Sequence, residues 1–363
     1  MDPTGPTAQR FPLLPRTRPI CSPLTTRVEG ICALARTAAQ KHDPVKAAAV
    51  HNRSALLASD CGLPDLARAW CHRHAQLHLD KAPLNGQAAR RALEPLVNLA
   101  RLRIRAGEGE SAYQLLAALY TAVTVRTDTT VDGIEVPAST LTATADDHQQ
   151  LHRWLWSIIL ADAPRALITA GRWHDAHVHM QHHRGIGHRL LDGLQIAIIA
   201  AATDDDPAGA LALLNTATPD EPWERAVGAC LTVLAGRTTD QTVTAMLHHY
   251  QRLTARPELA VFHTRLGLSV LDATAVAHHD ADAHAAGLVR QTLATRDGYA
   301  VRDLLAHPRC AALLTADDSS HAHGIVRQCH LGAKYLPPRL NDALTAAMDT
   351  TAPLLTNRRA AAC

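Results

Sequence analysis

The side chains best suited to chemistry in this 363-residue sequence are its 23 histidines, several of them set at helical spacing. Cys71, His74 and His78 follow one another at three and four residues, which places them on one side of a helix. His179 and His183 are also four apart, with His174 and His177 just upstream. Imidazole and thiolate at such spacing can bind zinc, but a working site needs three or four ligands, each oriented by a partner behind it. Neither H-x-x-x-H carries the glutamate that serves as base in a zinc protease helix. These five residues are therefore expected as an exposed helix face and remain weak metal candidates. The expectation is no metal and no cofactor. A metal-binding protein or enzyme using the His-rich helices is the alternative reading.

Other reaction signatures are missing. No G-x-S-x-G elbow and no phosphate-binding P-loop occurs. Gly185-Ile186-Gly187 lacks the preceding strand and the third glycine of a dinucleotide turn. Asp204-Asp205-Asp206 stands before Pro207, where carboxylates end one helix and cap the next. No catalytic residue is assigned.

Recognition chemistry is better represented. Asn52 and Arg53, then Asn98 and Arg101, then Asp162 and Arg165 recur upstream of Gly62, Gly107 and Gly171, with Arg105 a turn beyond Arg101. Asn98, Arg101 and Arg105 share a helical face. Arg presents a planar fork of donors for carboxylate, and Asn can pair with a peptide backbone. These seven residues define a candidate groove for a peptide or protein segment bearing acidic groups or a C-terminal carboxylate. Trp154 lies on an apolar stripe with Leu151, Leu155, Ile158 and Ile159 and is expected in the core, whereas Trp156 falls off it and is expected at the surface.

The elements that must position them follow a recurring phrase. A Gly or Asp marks a turn, and five residues later an Ala opens an apolar helical stretch: Gly62 and Ala67, Gly107 and Ala112, Gly171 and Ala176, Asp205 and Ala210, Asp280 and Ala285. Gly171 and Asp205 stand 34 apart, the period of a tetratricopeptide unit. Asp43-Pro44 reads as a helix cap followed by proline at the first helical position. Thr129 to Val136 alternates around Asp132-Gly133, the favoured pair of a tight hairpin turn, so a β-hairpin insert is expected at about 128–144. Further on, helices are expected from His188 to Ala202 and from Pro207 to Thr216.

Composition supports helices. Apolar residues make up 47% of the chain but aromatics only 3%, so the core must be built of Ala, Leu, Val and Ile. Formal net charge is +2, which leaves no electrostatic footprint for direct nucleic-acid binding. The eight cysteines form no C-x-x-C pair. With no signal-like N-terminus and no run of 18 apolar residues, the expected location is the cytoplasm and no membrane partner is expected.

The turn phrases resemble degenerate tetratricopeptide-like helical repeats, with the small Ala where that family packs its second helix closely on the first. The chain also resembles Arg- and Ala-rich helical proteins of actinomycete type, which implies a role accessory to regulation or to a peptide natural-product pathway. The expected fold is all-α, a superhelical array of antiparallel helix hairpins (an α-solenoid) with a short β-hairpin insert. Residues 1–25 are expected as a flexible Pro-rich arm, 26–296 as the array, and 297–363 as capping helices with a loose tail. The expected function is a non-catalytic adaptor or sensor, of no assigned oligomeric state.

Overall fold

The computed structural model describes residues 1–356, which fall into two compact units. In chain order the helices begin with α1 (Pro6–Gln9), α2 (Leu24–Lys41), α3 (Pro44–Asp60), α4 (Pro64–Leu79), α5 (Gly86–Arg105), α6 (Gly109–Val125) and α7 (Ala145–Thr169). Next come α8 (Trp173–His182), α9 (Asp192–Thr203), α10 (Pro207–Asn215), α11 (Pro222–Leu234), α12 (Asp240–Gln251) and α13 (Ala260–Val276). The last are α14 (Asp282–Thr295), α15 (Gly298–Leu305), α16 (Pro308–Ala312), α17 (Ala316–Gln328) and α18 (Pro338–Thr356). Between α6 and α7, β1 (Thr129–Val131) pairs antiparallel with β2 (Ile134–Val136), Thr129 opposite Val136 and Val131 opposite Ile134. The described chain is thus all-α apart from this hairpin, whose turn residues Asp132 and Gly133 both take positive φ.

The turn phrase has a physical basis. At Gly62, Gly107 and Gly171 φ is +76°, +81° and +73°, the left-handed region that glycine enters without a Cβ penalty. The next amide then reaches back to a carbonyl left open by the helix end: Leu63 to Ala58 at 3.0 Å, Glu108 to Arg103 at 2.9 Å, Arg172 to Leu167 at 2.9 Å. That bond closes a Schellman cap and fixes the reversal. Asp205 does the same with φ +55°, and Asp206 donates to Ala201. In the unit before α14 the left-handed residue is His278 rather than Asp280. The paired alanines Ala67, Ala112, Ala176, Ala210 and Ala285 are all completely buried, the close helix approach their size permits.

The second unit comprises residues 23–166 and 330 onward. Helices α2 to α6 pack each on the next, and α3 also reaches α5. One apolar cluster runs from Leu24 on α2 through Leu93, Leu96 and Leu116 to Met348 on α18. Asp43 caps α3, accepting from the Val45 and Lys46 amides at 3.0 Å. Helix α18 returns to pack on α2 and α3. The C-terminal segment is therefore divided: α15 to α17 belong to the first unit and α18 to the second. The loose tail expected past α18 lies outside the described residues.

The first unit comprises residues 1–22 and 167–329. Its N-terminal stretch corrects the expectation of a flexible arm. Ala8, Phe11, Leu13 and Cys21 are buried. Gln195 holds the backbone of Leu13 on both sides, accepting from its amide at 2.7 Å and donating to its carbonyl at 3.0 Å. Asp272 accepts from Thr7 Oγ1 at 2.6 Å, Arg10 Nη1 at 2.5 Å and His307 Nε2 at 2.9 Å. Burial alone would raise that carboxyl, but the His307, Arg10 and Thr7 contacts hold it down to about 2. The proline-rich segment is thus held in place rather than free. Helix α9 also starts later than expected, at Asp192, because the preceding residues are drawn to Glu224. Leu190 donates its amide to that carboxylate, Arg189 pairs with it, and the Thr218 amide bonds the His188 carbonyl at 2.8 Å. Residues Pro257–Val276 are long and apolar enough to cross a membrane, yet 72% of that window is buried inside the unit.

Candidate functional site

The expected groove residues sit on α3, α5 and α7 in the second unit, and four of them join directly. Asn98 Nδ2 donates to Asn52 Oδ1 at 3.1 Å. Arg101 Nη1 donates to Asn98 Oδ1 at 3.1 Å, while its Nε and Nη2 donate to Asp162 Oδ2 at 3.1 and 2.8 Å. A continuous ladder therefore runs Asn52, Asn98, Arg101, Asp162. Arg105 is anchored separately: Nη1 bonds Ser59 Oγ at 2.9 Å and Asp60 Oδ1 at 3.2 Å, and Asp60 also accepts from Arg27. Arg53 is exposed on α3, and Arg165 is partly buried on α7.

Burial separates two roles among these residues. The Asp162 and Asp60 side chains are 10% and 5% exposed, whereas Arg101 and Arg105 are 43% and 46% exposed. Buried carboxylates thus anchor guanidinium groups that still face water. A guanidinium has five N–H donors. The bonds above leave N–H groups on both arginines for a further acceptor. The sequence named these residues as candidates from their spacing before each turn. It did not show that Asp162 would be an anchor rather than a contact residue.

A second polar centre was not anticipated. Asp132, at the tip of the β-hairpin, accepts from Arg68 Nε and His72 Nε2 on α4 at 2.8 Å and from Arg103 Nη2 on α5 at 2.7 Å. Burial would raise its carboxyl, but the Arg68 and His72 hydrogen bonds and the Arg103 charge hold it below the usual carboxylate range. This contact docks the insert on the helices.

The histidine faces are not exposed, which corrects the expectation. Cys71, His74 and His78 are 2%, 1% and 4% exposed, inside the second unit. His74 stacks on His51 of α3 with centroids 5.0 Å apart and lies 5.3 Å from His78. Neither nitrogen of His74 has a hydrogen-bond partner, nor does His51 Nδ1 or His78 Nε2. Burial pushes His51 and His78 down to about 4 and His74 well below the usual imidazole value. Burial also pushes the Cys71 thiol up to about 12, so it stays protonated. In the first unit, His179 and His183 have ring centroids 4.5 Å apart, with His179 buried. Among the described residues no group of three or more His, Cys, Asp or Glu is placed to hold a metal ion. Trp154 is partly buried under the Arg90 guanidinium, 5.5 Å from its ring centre, and Trp156 is exposed.

Compared with known proteins, the chain matches no family model, no curated protein and no solved structure.

Proposed function

We propose that this chain is a non-catalytic binding protein that holds a peptide or protein segment on the α3, α5 and α7 face of its second unit. The observation that carries the reading is the ladder from Asn52 through Asn98 and Arg101 to Asp162. Donors fixed before binding lose less freedom when a partner arrives, which raises affinity for a given contact. The half-exposed Arg101 and Arg105 and the exposed Arg53 favour acidic side chains or a C-terminal carboxylate. The repeated Schellman turns and fully buried alanines support hairpins stacked in the tetratricopeptide-like manner, with first helices lining a concave groove. The reading places the protein in the cytoplasm, where buried thiols such as Cys71 and Cys230 stay reduced. Such a surface suits an adaptor or sensor; the accessory role in regulation or a peptide pathway rests on the resemblance alone.

A panel of immobilised peptides, acidic and neutral, with free and amidated C-termini, tests this. Wild type should retain the acidic or free-carboxylate members, and Arg101→Ala and Asn98→Ala should lose them. Equal retention by both variants would remove the ladder from recognition.

A further inference from the structure

A cavity of about 390 Å³ opens in the first unit, between α12, α13 and α14 and the N-terminal segment at Ile20. It is separate from the ladder of the second unit. Small-molecule sites typically run from roughly 300 to 1,000 Å³, so this one suits a compact ligand. Its walls are mainly apolar: Ala260 on α13, Leu288 on α14 and the ring of Tyr250 on α12. The Tyr250 hydroxyl is already engaged, donating to the His263 carbonyl at 3.2 Å.

Two observations point to the ligand's chemistry. The first is charge at the mouth. Arg256 is the one fully ionised side chain in the lining, and it is exposed at the rim. Its Nε and Nη2 engage Glu258 Oε1, which leaves Nη1 for another acceptor. Arg18 is held beside the same mouth, its backbone amide bonded to the Glu258 carbonyl at 3.2 Å. Its guanidinium lies 6.0 Å from the Tyr299 ring centre. Glu258 stands beside Arg256, while Arg18 lies near Arg265, Asp297 and Asp303, so Arg256 is the cation that the mouth itself presents. The second is polar capacity in the wall. His263, 8% exposed, lines the cavity with Nε2 unpartnered, and the Thr264 and Thr292 hydroxyls pair at 3.2 Å. Ile20, 38% exposed, forms an apolar lip.

We propose that this cavity binds a small amphiphilic carboxylate, its apolar body against Ala260, Leu288 and Tyr250 and its carboxylate at Arg256. Apolar burial supplies most of the affinity, and the arginine sets the orientation and the preference for an anion.

Calorimetric titration of the full chain with decanoate, decanol and decyltrimethylammonium tests the proposal. Decanoate should bind at one equivalent, decanol more weakly, and the cation not saturably. Arg256→Gln should weaken decanoate by roughly tenfold, the size of a lost charge-assisted hydrogen bond, and leave decanol unchanged. Ala260→Leu should abolish both by filling the cavity. Because that substitution lies in the core, Ala294→Trp on the exposed wall is the second blocking variant, with circular dichroism to confirm folding. Absence of saturable decanoate binding would overturn the proposal, as would undiminished binding by folded Ala294→Trp. Equal affinity for decanoate in Arg256→Gln would overturn the assignment of the carboxylate.

Discussion

Arg101 on α5 donates from both Nε and Nη2 to a single oxygen of Asp162 on α7, at 3.1 and 2.8 Å. The carboxylate is buried and the guanidinium is half in water, so the pair fixes a cation at the surface rather than neutralising a charge in the core. Asp162→Ala should free Arg101 to sample other rotamers. Because water screens the exposed partner, the stability cost should be modest, about 1–2 kcal/mol. Urea denaturation measures the cost. Partner binding should fall more than stability does, since orientation is what the carboxylate supplies.

The turn phrase predicts two distinct penalties. Gly107 has φ +81° and open space where a Cβ would be, so Gly107→Ala should cost about 1 kcal/mol through backbone strain alone. Ala112 is fully buried, so Ala112→Leu should cost roughly 1–3 kcal/mol by overpacking. Gly171→Ala should cost more than Gly107→Ala, because its Cβ would meet Thr4 Cγ2 at 3.0 Å. Thermal melts of the three variants check the order.

The buried imidazoles predict acid sensitivity of the second unit. His51 and His78 fall to about 4 in the folded chain from 6.5, and burial lowers His74 as well. The unfolded chain therefore takes up protons first as pH drops. The stability these groups permit is complete above 6.5 and is lost as pH falls toward 4. Each such shift is worth on the order of 3 kcal/mol by the lower limit. Arg73 beside His51 and Arg91 beside His78 add to the effect, while Asp349 opposes it. His74→Leu should flatten the pH dependence, because it removes two unpartnered nitrogens without leaving a large void. Hydrogen exchange of α4 amides across this pH range reads it directly.

Asp132→Asn should undock the β-hairpin. The amide keeps a residue tolerant of the left-handed turn but removes the charge that Arg68, His72 and Arg103 share. The expected outcome is faster exchange at Val131 and Ile134, with the helices unchanged and a loss of roughly 1–2 kcal/mol.

What could be read from the chain and what could not divides by sequence distance. The Gly62, Gly107 and Gly171 turns rest on bonds spanning five residues, and their glycines and alanines announce them. Asn52, Asn98 and Asp162 could be singled out because each precedes such a turn by a similar interval, but the bonds that join them through Arg101 could not. The packed N-terminal segment was hidden, since its anchors Gln195 and Asp272 lie 182 and 262 residues from Leu13 and Arg10. The histidine face of α4 looked exposed for the same reason. The hydroxyl that meets His51 belongs to Thr351 on α18, 300 residues on. Asp132 signalled a turn, but its three partners come from two other helices.

Recognition on the α3, α5 and α7 face, as proposed, should leave a footprint in the backbone amides. Hydrogen exchange on the full chain, with and without a retained acidic peptide, tests it most directly. The account predicts slowed exchange in α3 around Asn52 and in α5 from Asn98 to Arg105, abolished by Arg101→Ala. Protection confined to α12, α13 and α14 of the first unit, or the same protection in Arg101→Ala, would contradict it.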